Sequence, residues 1–158
     1  MATVEQRVHI DSGTSGDIDA VMTIMESAFG ERFGEAWTRS QLAGILPMAG
    51  VCLVLARDDC RKVVGFSLFR SVADESELLL LGVLKQHRRR GIGSRLLEDF
   101  LARSRNDRVA RVHLEVRDGN QAVKMYATAG FLPVDRRRNY YHAPDGRRFD
   151  AITLALQL

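Results

Sequence analysis

The chain has little cysteine, proline or tryptophan, and it has no hydrophobic run long enough to span a membrane. Its 158 residues include two cysteines, three prolines and one tryptophan. Cys52 and Cys60 lack the C-x-x-C spacing of a zinc site, so we expect neither a structural metal nor a disulfide framework. The longest apolar runs, 48–56 and 78–84, are strand-sized, whereas a bilayer span needs about 20 residues. Because residues 1–16 carry no signal-peptide pattern, we expect a cytoplasmic protein without a membrane partner.

The formal net charge is small, but arginine is concentrated in two places. The charge is +3, and two arginine triplets occur, at 88–90 and 136–138. Such triplets can solvate a surface or bind an anion, and the residues alone favour neither. The chain shows no recognition-helix or base-stacking pattern, so we expect no nucleic-acid partner. The four histidines are scattered without metal-ligand spacing, so we expect no bound metal.

Hydrophobic periodicity predicts a mixed α/β fold. Helices are predicted at 17–29, 37–46, 94–105 and 121–129. Strands are predicted at 7–11, 51–57, 63–72, 78–84, 111–117 and 151–156. Residues 131–134 open a further strand, which a long hairpin through residues 144–146 joins to the last one. This order of elements indicates one sheet covered by helices. The length suits a single domain that spans residues 1–158.

A central apolar strand at 78–84 is followed by a basic, glycine-containing loop and then a helix. The first backbone N–H groups of a helix have no partner within the helix, and the helix dipole adds positive potential there. Gly91 and Gly93 would let a phosphate approach the backbone closely. No lysine follows the second glycine, which disfavours a P-loop nucleotidase. From these residues alone, an ordinary basic turn fits equally well.

The loop also carries a family resemblance. Arg88-Arg89-Arg90-Gly91-Ile92-Gly93 after an apolar strand resembles the Q/R-x-x-G-x-G/A signature of GNAT acetyltransferases. Residues 114–117 (LEVR), 129–131 (AGF) and 137–152 are similar to the second half of the pattern in RimI-type enzymes. Those enzymes acetylate the N-terminal alanine of a small-subunit ribosomal protein. The resemblance extends from residue 18 to the end of the chain and is closest after residue 78; before that, only Trp37 and its helix resemble the family.

The resemblance implies a fold and an acyl donor. The fold would be a single mixed, mostly antiparallel sheet with a central V-shaped splay and helices on both faces. The donor would be acetyl-coenzyme A, bound in the splay. The strand backbone that pairs with its pantetheine arm would belong to Leu81, Gly82 and Val83. The loop that holds its pyrophosphate would consist of Arg88, Arg89, Arg90, Gly91, Ile92, Gly93 and Ser94.

Two residues are candidates for proton transfer. Glu115 lies near the end of an alternating strand, where a carboxylate could accept a proton from an amine. The strand pattern alone favours a solvent-facing glutamate, and the resemblance implies a general base. Tyr126 follows Ala122 on a short helix, where a tyrosine is usually a core residue. The resemblance, to the family context A-I-x-L-Y, implies that Tyr126 is the acid that protonates the departing thiolate.

The remaining candidate site residues are Asn120 and the hairpin at 139–148. The family places an asparagine seven residues before the tyrosine, in contact with the cofactor, whereas Asn120 precedes Tyr126 by six. We expect Asn120 to reach the donor by a local shift, with Gly119 in that place as the alternative. The hairpin is polar and aromatic, and it is either a flap over the acceptor or a simple surface turn. As a flap it would place Tyr140 and Tyr141 along the acceptor channel, with Arg138 beside an acidic acceptor or a phosphate.

The resemblance therefore implies direct transfer of an acetyl group to a primary amine, with backbone N–H near Val83 stabilising the oxyanion. The expected acceptor is the N-terminal α-amino group of a protein, in the manner of the ribosomal-protein enzymes. A GNAT enzyme for a small amine and a non-catalytic coenzyme A sensor remain as alternatives. We expect the protein to act as a monomer or a weak homodimer.

Overall fold

The central feature is one seven-stranded sheet. The computed structural model describes residues 6–158, so the start of the predicted N-terminal lead-in lies outside the described residues. The strands follow the order β1-β2-β3-β4-β5-β7-β6 across the sheet. They are β1 (His9–Ser12), β2 (Val51–Arg57), β3 (Val63–Val72), β4 (Glu75–Val83), β5 (Arg111–Arg117), β6 (Leu132–His142) and β7 (Arg148–Gln157). All neighbours pair antiparallel except β4 and β5, so the predicted mixed, mostly antiparallel sheet is confirmed.

Four α-helices lie within residues 6–158. They are α1 (Ile18–Phe29), α2 (Arg39–Ile45), α3 (Ile92–Asn106) and α4 (Ala122–Thr128). The helix predicted from residue 37 begins two residues later, because Thr38 caps it. The Thr38 hydroxyl accepts from the Gln41 N–H, and the Gln41 side chain accepts from the Thr38 N–H. This reciprocal capping box leaves Trp37 outside the helix. No helix in the described part of the chain is long and apolar enough to cross a membrane.

The sheet opens into a V between its two parallel strands. β4 and β5 pair from Glu75 opposite Arg111 only as far as Leu78 opposite Leu114. Beyond that point each strand pairs only with its outer neighbour. The opening coincides with a β-bulge, since Leu78 pairs with Phe69 and Leu80 with Leu68, which leaves Leu79 unmatched. A bulge bends its strand and increases the local twist, so it favours the divergence of β4 from β5.

The helices cover both faces of the sheet, as expected. A methyl group added to Gly65 would lie 3.2 Å from Ile92 and Leu96, which belong to α3. A methyl group on Gly82 would lie 3.4 Å from side chains of α1 instead. Gly65 pairs with Val83, the neighbour of Gly82, and successive residues of a strand face opposite sides. α1 and α3 therefore pack on opposite faces.

The core lies between the sheet and these two helices. The inward positions predicted for α3, which include Leu96, Leu97 and Phe100, are all buried. Phe100 packs against Phe69 of β3 with ring centroids 4.9 Å apart. Burial of each such side chain contributes about 1.5–3 kcal/mol to stability. The packing holds the N-terminus of α3 against the open end of β4, where the predicted anion-binding loop lies.

Several predicted boundaries were wrong. β4 begins at Glu75 and ends at Val83, so Leu84 is not part of the strand. α3 begins at Ile92, two residues earlier than predicted. β6 runs from Leu132 to His142 and β7 starts at Arg148, so the strand predicted to open at 131–134 extends well into the hairpin. β6 is an edge strand whose residues are nearly all exposed, so it has no apolar alternation to reveal its length.

Candidate active site

Two cavities open at the V between β4 and β5. The larger is a cleft of about 750 Å³ between the end of α1, the start of α3 and the turn before α4. The smaller, about 140 Å³, lies deeper between the strands and beneath the β6–β7 hairpin. Their linings share five residues: Phe29, Glu35, Leu81, Asn120 and Ala122. The two cavities are therefore adjacent and share part of their walls.

The larger cleft contains the predicted loop at the start of α3. Gly91 caps the helix in the left-handed region, with φ of 79°, a conformation that suits glycine. Within residues 6–158, the backbone N–H groups of residues 89–94 donate to no other group. Unpaired N–H groups at a helix start form an anion-binding site. The arrangement fits a phosphate or diphosphate.

Two residues of the arginine triplet at 88–90 line the larger cleft, and the third contacts the N-terminal segment. Arg88 and Arg89 line the cleft, and the Arg88 guanidinium also donates to the Ala28 carbonyl at 2.7 Å. Arg90 lies outside the lining, since its guanidinium donates to the Gln6 side chain at 3.3 Å and its carbonyl accepts from the Gln6 N–H. Lys85 and His87 line the cleft as well, and the sequence analysis did not identify them. Burial lowers the pKa of His87, with Arg90 acting in the same direction.

The other predicted donor-binding residues also lie along the larger cleft. Leu81, Gly82 and Val83 line it from β4, on the strand edge that faces the V. Gly91, Ile92, Gly93 and Ser94 line it from the start of α3. Gly93 is close to the opposite wall, because a methyl group there would lie 3.3 Å from the Met125 sulfur. A larger residue at position 93 would therefore narrow the passage between α3 and α4.

Glu115 lies on the wall of the smaller cavity. Its strand alternates as predicted, with Val112, Leu114 and Val116 buried on the other face. One carboxylate oxygen of Glu115 is 3.0 Å from Arg137 Nε on β6, and the other accepts from the Thr153 hydroxyl at 3.0 Å. The Glu115 side chain is 12% exposed. The Glu115 carboxylate is thus fixed by Arg137 and Thr153 at the edge of a cavity. It is not the solvent-facing glutamate that the strand pattern alone favoured.

Tyr126 lines the same cavity from α4. Its ring is buried and meets Phe131 edge-on, with centroids 5.8 Å apart. Burial raises the pKa of Tyr126, so its phenol keeps the proton at neutral pH. Tyr126 is thus a core residue that also lines the smaller cavity.

The β6–β7 hairpin supplies the outer wall of the smaller cavity. Tyr140 and Tyr141 line it, and their rings meet edge-on at 5.0 Å. The Tyr141 hydroxyl lies 3.5 Å from the Glu115 carbonyl. Burial raises the pKa of Tyr141, and the nearby Glu35 carboxylate adds to the effect. Arg138 is exposed and lines neither cavity, so the structure does not bring it to the other candidate residues.

A third wall comes from the connection between α1 and α2, in which no site residue was predicted. Glu35 lines both cavities, and its carboxylate accepts from Arg117 Nε at 3.0 Å and from the Asn120 amide at 3.2 Å. Gly34 packs against the hairpin so closely that an added methyl group would lie 2.1 Å from the His142 carbonyl oxygen. No local signal marks these contacts, because they join segments far apart in the sequence.

Comparison with known proteins agrees with this geometry. A model of the Acetyltransferase (GNAT) family matches residues 18–131, well over half of the chain. The chain belongs to the GNAT acetyltransferase family. The GNAT match covers the V and the loop before α3, and it ends before residues 137–152, which also carry the resemblance.

Among GNAT proteins, enzymes named ribosomal protein bS18-alanine N-acetyltransferase are similar in sequence. The Escherichia coli K12 protein is 38% identical over 98 residues, which are 61% of this chain and 66% of that protein. The Haemophilus influenzae protein is 34% identical over 97 residues and covers the same shares. The chain thus matches slightly less than two thirds of the length of these curated relatives.

Solved GNAT structures extend the likeness to nearly the whole chain. The crystal structure of the ribosomal-protein-S18-alanine N-acetyltransferase from Escherichia coli has a TM-score of 0.86 and 30% identity, covering 96% of this chain and 94% of that chain. Arabidopsis thaliana NAA60, solved in complex with acetyl-CoA, has a TM-score of 0.80 at 18% identity, covering 96% and 99% of the two chains. The second likeness shows the fold alone.

Proposed function

We propose that the protein transfers an acetyl group from acetyl-coenzyme A to the N-terminal α-amino group of a protein. The similarity to enzymes named for the alanine of ribosomal protein bS18 supports that choice of acceptor. The observation that carries the proposal is that two different cavities lie side by side at the V and share lining residues. One presents unpaired backbone N–H groups, and the other presents a carboxylate and a phenol.

The donor would occupy the larger cleft. The free N–H groups of residues 89–94 would bind its diphosphate, with Lys85, Arg88 and Arg89 adding positive charge at the rim. Among the described residues, 6–158, none forms a strand that pairs with the edge at 81–83 on the side of the V. The backbone groups of that edge would pair with the amides of the pantetheine arm and direct the thioester toward the smaller cavity. A backbone N–H near Val83 would stabilise the oxyanion that forms on the acetyl carbonyl.

The chemistry would be direct transfer without an acyl-enzyme. The neutral amine attacks the thioester carbonyl carbon, so that a carbon–nitrogen bond forms and the carbon–sulfur bond breaks. Glu115, directly or through a water molecule, takes the proton that the nitrogen loses. Tyr126 gives its proton to the departing thiolate and regains one from solvent. Burial raises the pKa of Tyr126, so the phenol carries its proton at neutral pH but is a weaker acid than an ordinary tyrosine.

An α-amino acceptor suits this carboxylate better than a lysine does. The α-amino group has a pKa of about 7.7–8.0 and a lysine side chain about 10.4, so a larger share of the α-amino group is already neutral at pH 7. A carboxylate held in an ion pair with Arg137 can therefore serve as the base. The exposed hairpin with Tyr140 and Tyr141 would contact the residues that follow the acceptor alanine.

The proposal is tested by measuring free thiol release from acetyl-coenzyme A with three acceptors. These are a peptide that begins with alanine, the same peptide with a blocked N-terminus and an internal lysine, and a polyamine. We expect the free N-terminus to give a kcat/KM at least about tenfold above the other two, and mass spectrometry to place the acetyl group on the α-nitrogen.

The charged residues lining the smaller cavity are acidic, namely Glu35, Glu77 and Glu115, which makes a polyamine the second candidate. Preference for the polyamine would contradict a protein acceptor, and thiol release with none of them would contradict acetyl transfer to amines.

A further inference from the structure

The wall shared by the two cavities contains a chain of polar contacts that joins three segments. Glu35 comes from the connection between α1 and α2, whereas Arg117 ends β5 and Asn120 lies in the turn before α4. The Glu35 carboxylate uses one oxygen for Arg117 Nε, at 3.0 Å, and the other for the Asn120 amide nitrogen, at 3.2 Å. Both carboxylate oxygens are therefore engaged in the contact.

This contact is held inside the protein. The side chains of Glu35 and Arg117 are 10% and 12% exposed. The Arg117 guanidinium also lies 3.6 Å from the centroid of the Phe33 ring, close enough for a cation–π interaction. A buried ion pair with these additional contacts has a defined geometry, and the loss of one partner leaves the other charge without compensation. The Glu35–Arg117 pair thus fixes the α1–α2 connection against the end of β5.

Asn120 extends the chain of contacts to the helix that carries Tyr126. Its side-chain oxygen accepts from the Ala122 N–H at 2.9 Å, at the first residue of α4. The first N–H groups of a helix need such acceptors. α4 has seven residues, too few to be stable without its cap and its packing. Tyr126 lies four residues after Ala122, about one turn further along the same helix.

We propose that Glu35 and Asn120 are positioning residues that hold α4, and with it Tyr126, at the wall of the smaller cavity. In this arrangement the Asn120 amide donates to Glu35 and its oxygen accepts from Ala122, so the side chain acts on acetyl transfer through α4. Asn120 also lines the larger cleft, where the expectation from the sequence is a contact with acetyl-coenzyme A, and the test below separates the two roles. The part of this inference that is tested by kcat for acetyl transfer rests on the proposed function.

The test compares Asn120→Ala, Glu35→Gln and the double variant with the unchanged protein. Glu31→Gln is the matched control, because Glu31 is exposed in the same connection and lines neither cavity. We expect Asn120→Ala and Glu35→Gln each to lower kcat about tenfold or more, since a displacement of about 1 Å can cost up to 10²-fold. Calorimetry should give a Kd for coenzyme A within about twofold of the unchanged protein. The double variant should be no worse than the more affected single variant, as expected for residues in one contact network.

The alternatives give different results. If Asn120 contacts the donor, Asn120→Ala will weaken coenzyme A binding about tenfold, and that result would overturn the inference. Independent, multiplying losses in kcat from the two substitutions would overturn it as well. Should Glu35→Gln fail to fold, Asn120→Ala still decides the question, because it leaves the Glu35–Arg117 ion pair in place.

An unfolding measurement separates this inference from the proposed function. Urea unfolding of the same four proteins needs no substrate, and contacting residues give non-additive changes in unfolding free energy. If the unchanged protein transfers acetyl to no amine, the proposed function fails, and non-additive unfolding would still support the contact between the two residues. Additive unfolding would show that Glu35 and Asn120 do not act together, and it would overturn the inference whatever the activity.

Discussion

Tyr126→Phe is expected to lower kcat for acetyl transfer by about 100-fold or more, while the Kd for coenzyme A and the thermal stability stay nearly unchanged. Proton transfer by a positioned side chain typically contributes about 10²–10⁴-fold to a rate. Phenylalanine keeps the ring, and therefore its edge-on contact with Phe131 at 5.8 Å. Only the hydroxyl group of this cavity-lining residue is lost, so the defect should appear in the chemical step.

The pH dependence gives a second measurement on the same variant. The ordinary pKa of tyrosine is 10.0, and burial raises that of Tyr126 in the folded protein. The phenol should therefore remain protonated throughout the range below pH 10. In that range, plots of kcat against pH for the unchanged protein and for Tyr126→Phe should run parallel. A Tyr126→Phe variant with unchanged kcat would show that another group, or solvent, protonates the thiolate.

Glu115→Gln should cause a loss of similar size, about 100-fold or more in kcat, by removing the base. Glutamine has nearly the same shape and can still accept from the Thr153 hydroxyl. Arg137, which loses its partner, is 56% exposed and can be solvated by water, so we expect little loss of stability. Steady-state thiol release with a saturating alanine peptide measures the effect.

Glu75→Gln is the matched control for this substitution. Glu75 also forms an ion pair with an arginine, Arg111 at 3.5 Å, but it lies at the closed end of the β4–β5 pair and lines neither cavity. Its kcat should stay within about twofold of the unchanged protein. Equal losses from the two substitutions would mean that ion pairs along this part of the sheet support the fold, and that Glu115 is not the base.

The parts of the fold that sequence predicted well depend on local periodicity. The apolar face of α3 and the alternation of β5 follow from residue spacing alone, and both are confirmed by burial. The loop before α3 could be located because its glycines and the strand before it are contiguous in sequence. The extent of β6 could not, since an exposed edge strand carries no apolar alternation.

The parts of the site that were missed depend on contacts between distant segments. Glu35 lies 85 residues before Asn120, and nothing in the composition of its loop marks it as a partner. The same holds for Gly34, whose close approach to His142 appears only once the hairpin is folded over it. Arg138 was predicted as a site residue, but it lines neither cavity. Its neighbours in the triplet, Arg136 and Arg137, form ion pairs, and the sequence alone does not distinguish the three arginines.

The most direct test of the account is a calorimetric titration of the protein with coenzyme A and, separately, with pantetheine, which lacks the diphosphate. The account predicts binding of one equivalent of coenzyme A, and binding of pantetheine at least about 100-fold weaker, because the N–H groups of residues 89–94 would then have no anion to bind. Equal affinity for the two compounds, or no binding of coenzyme A, would contradict the central claim that the start of α3 holds the diphosphate of the acetyl donor.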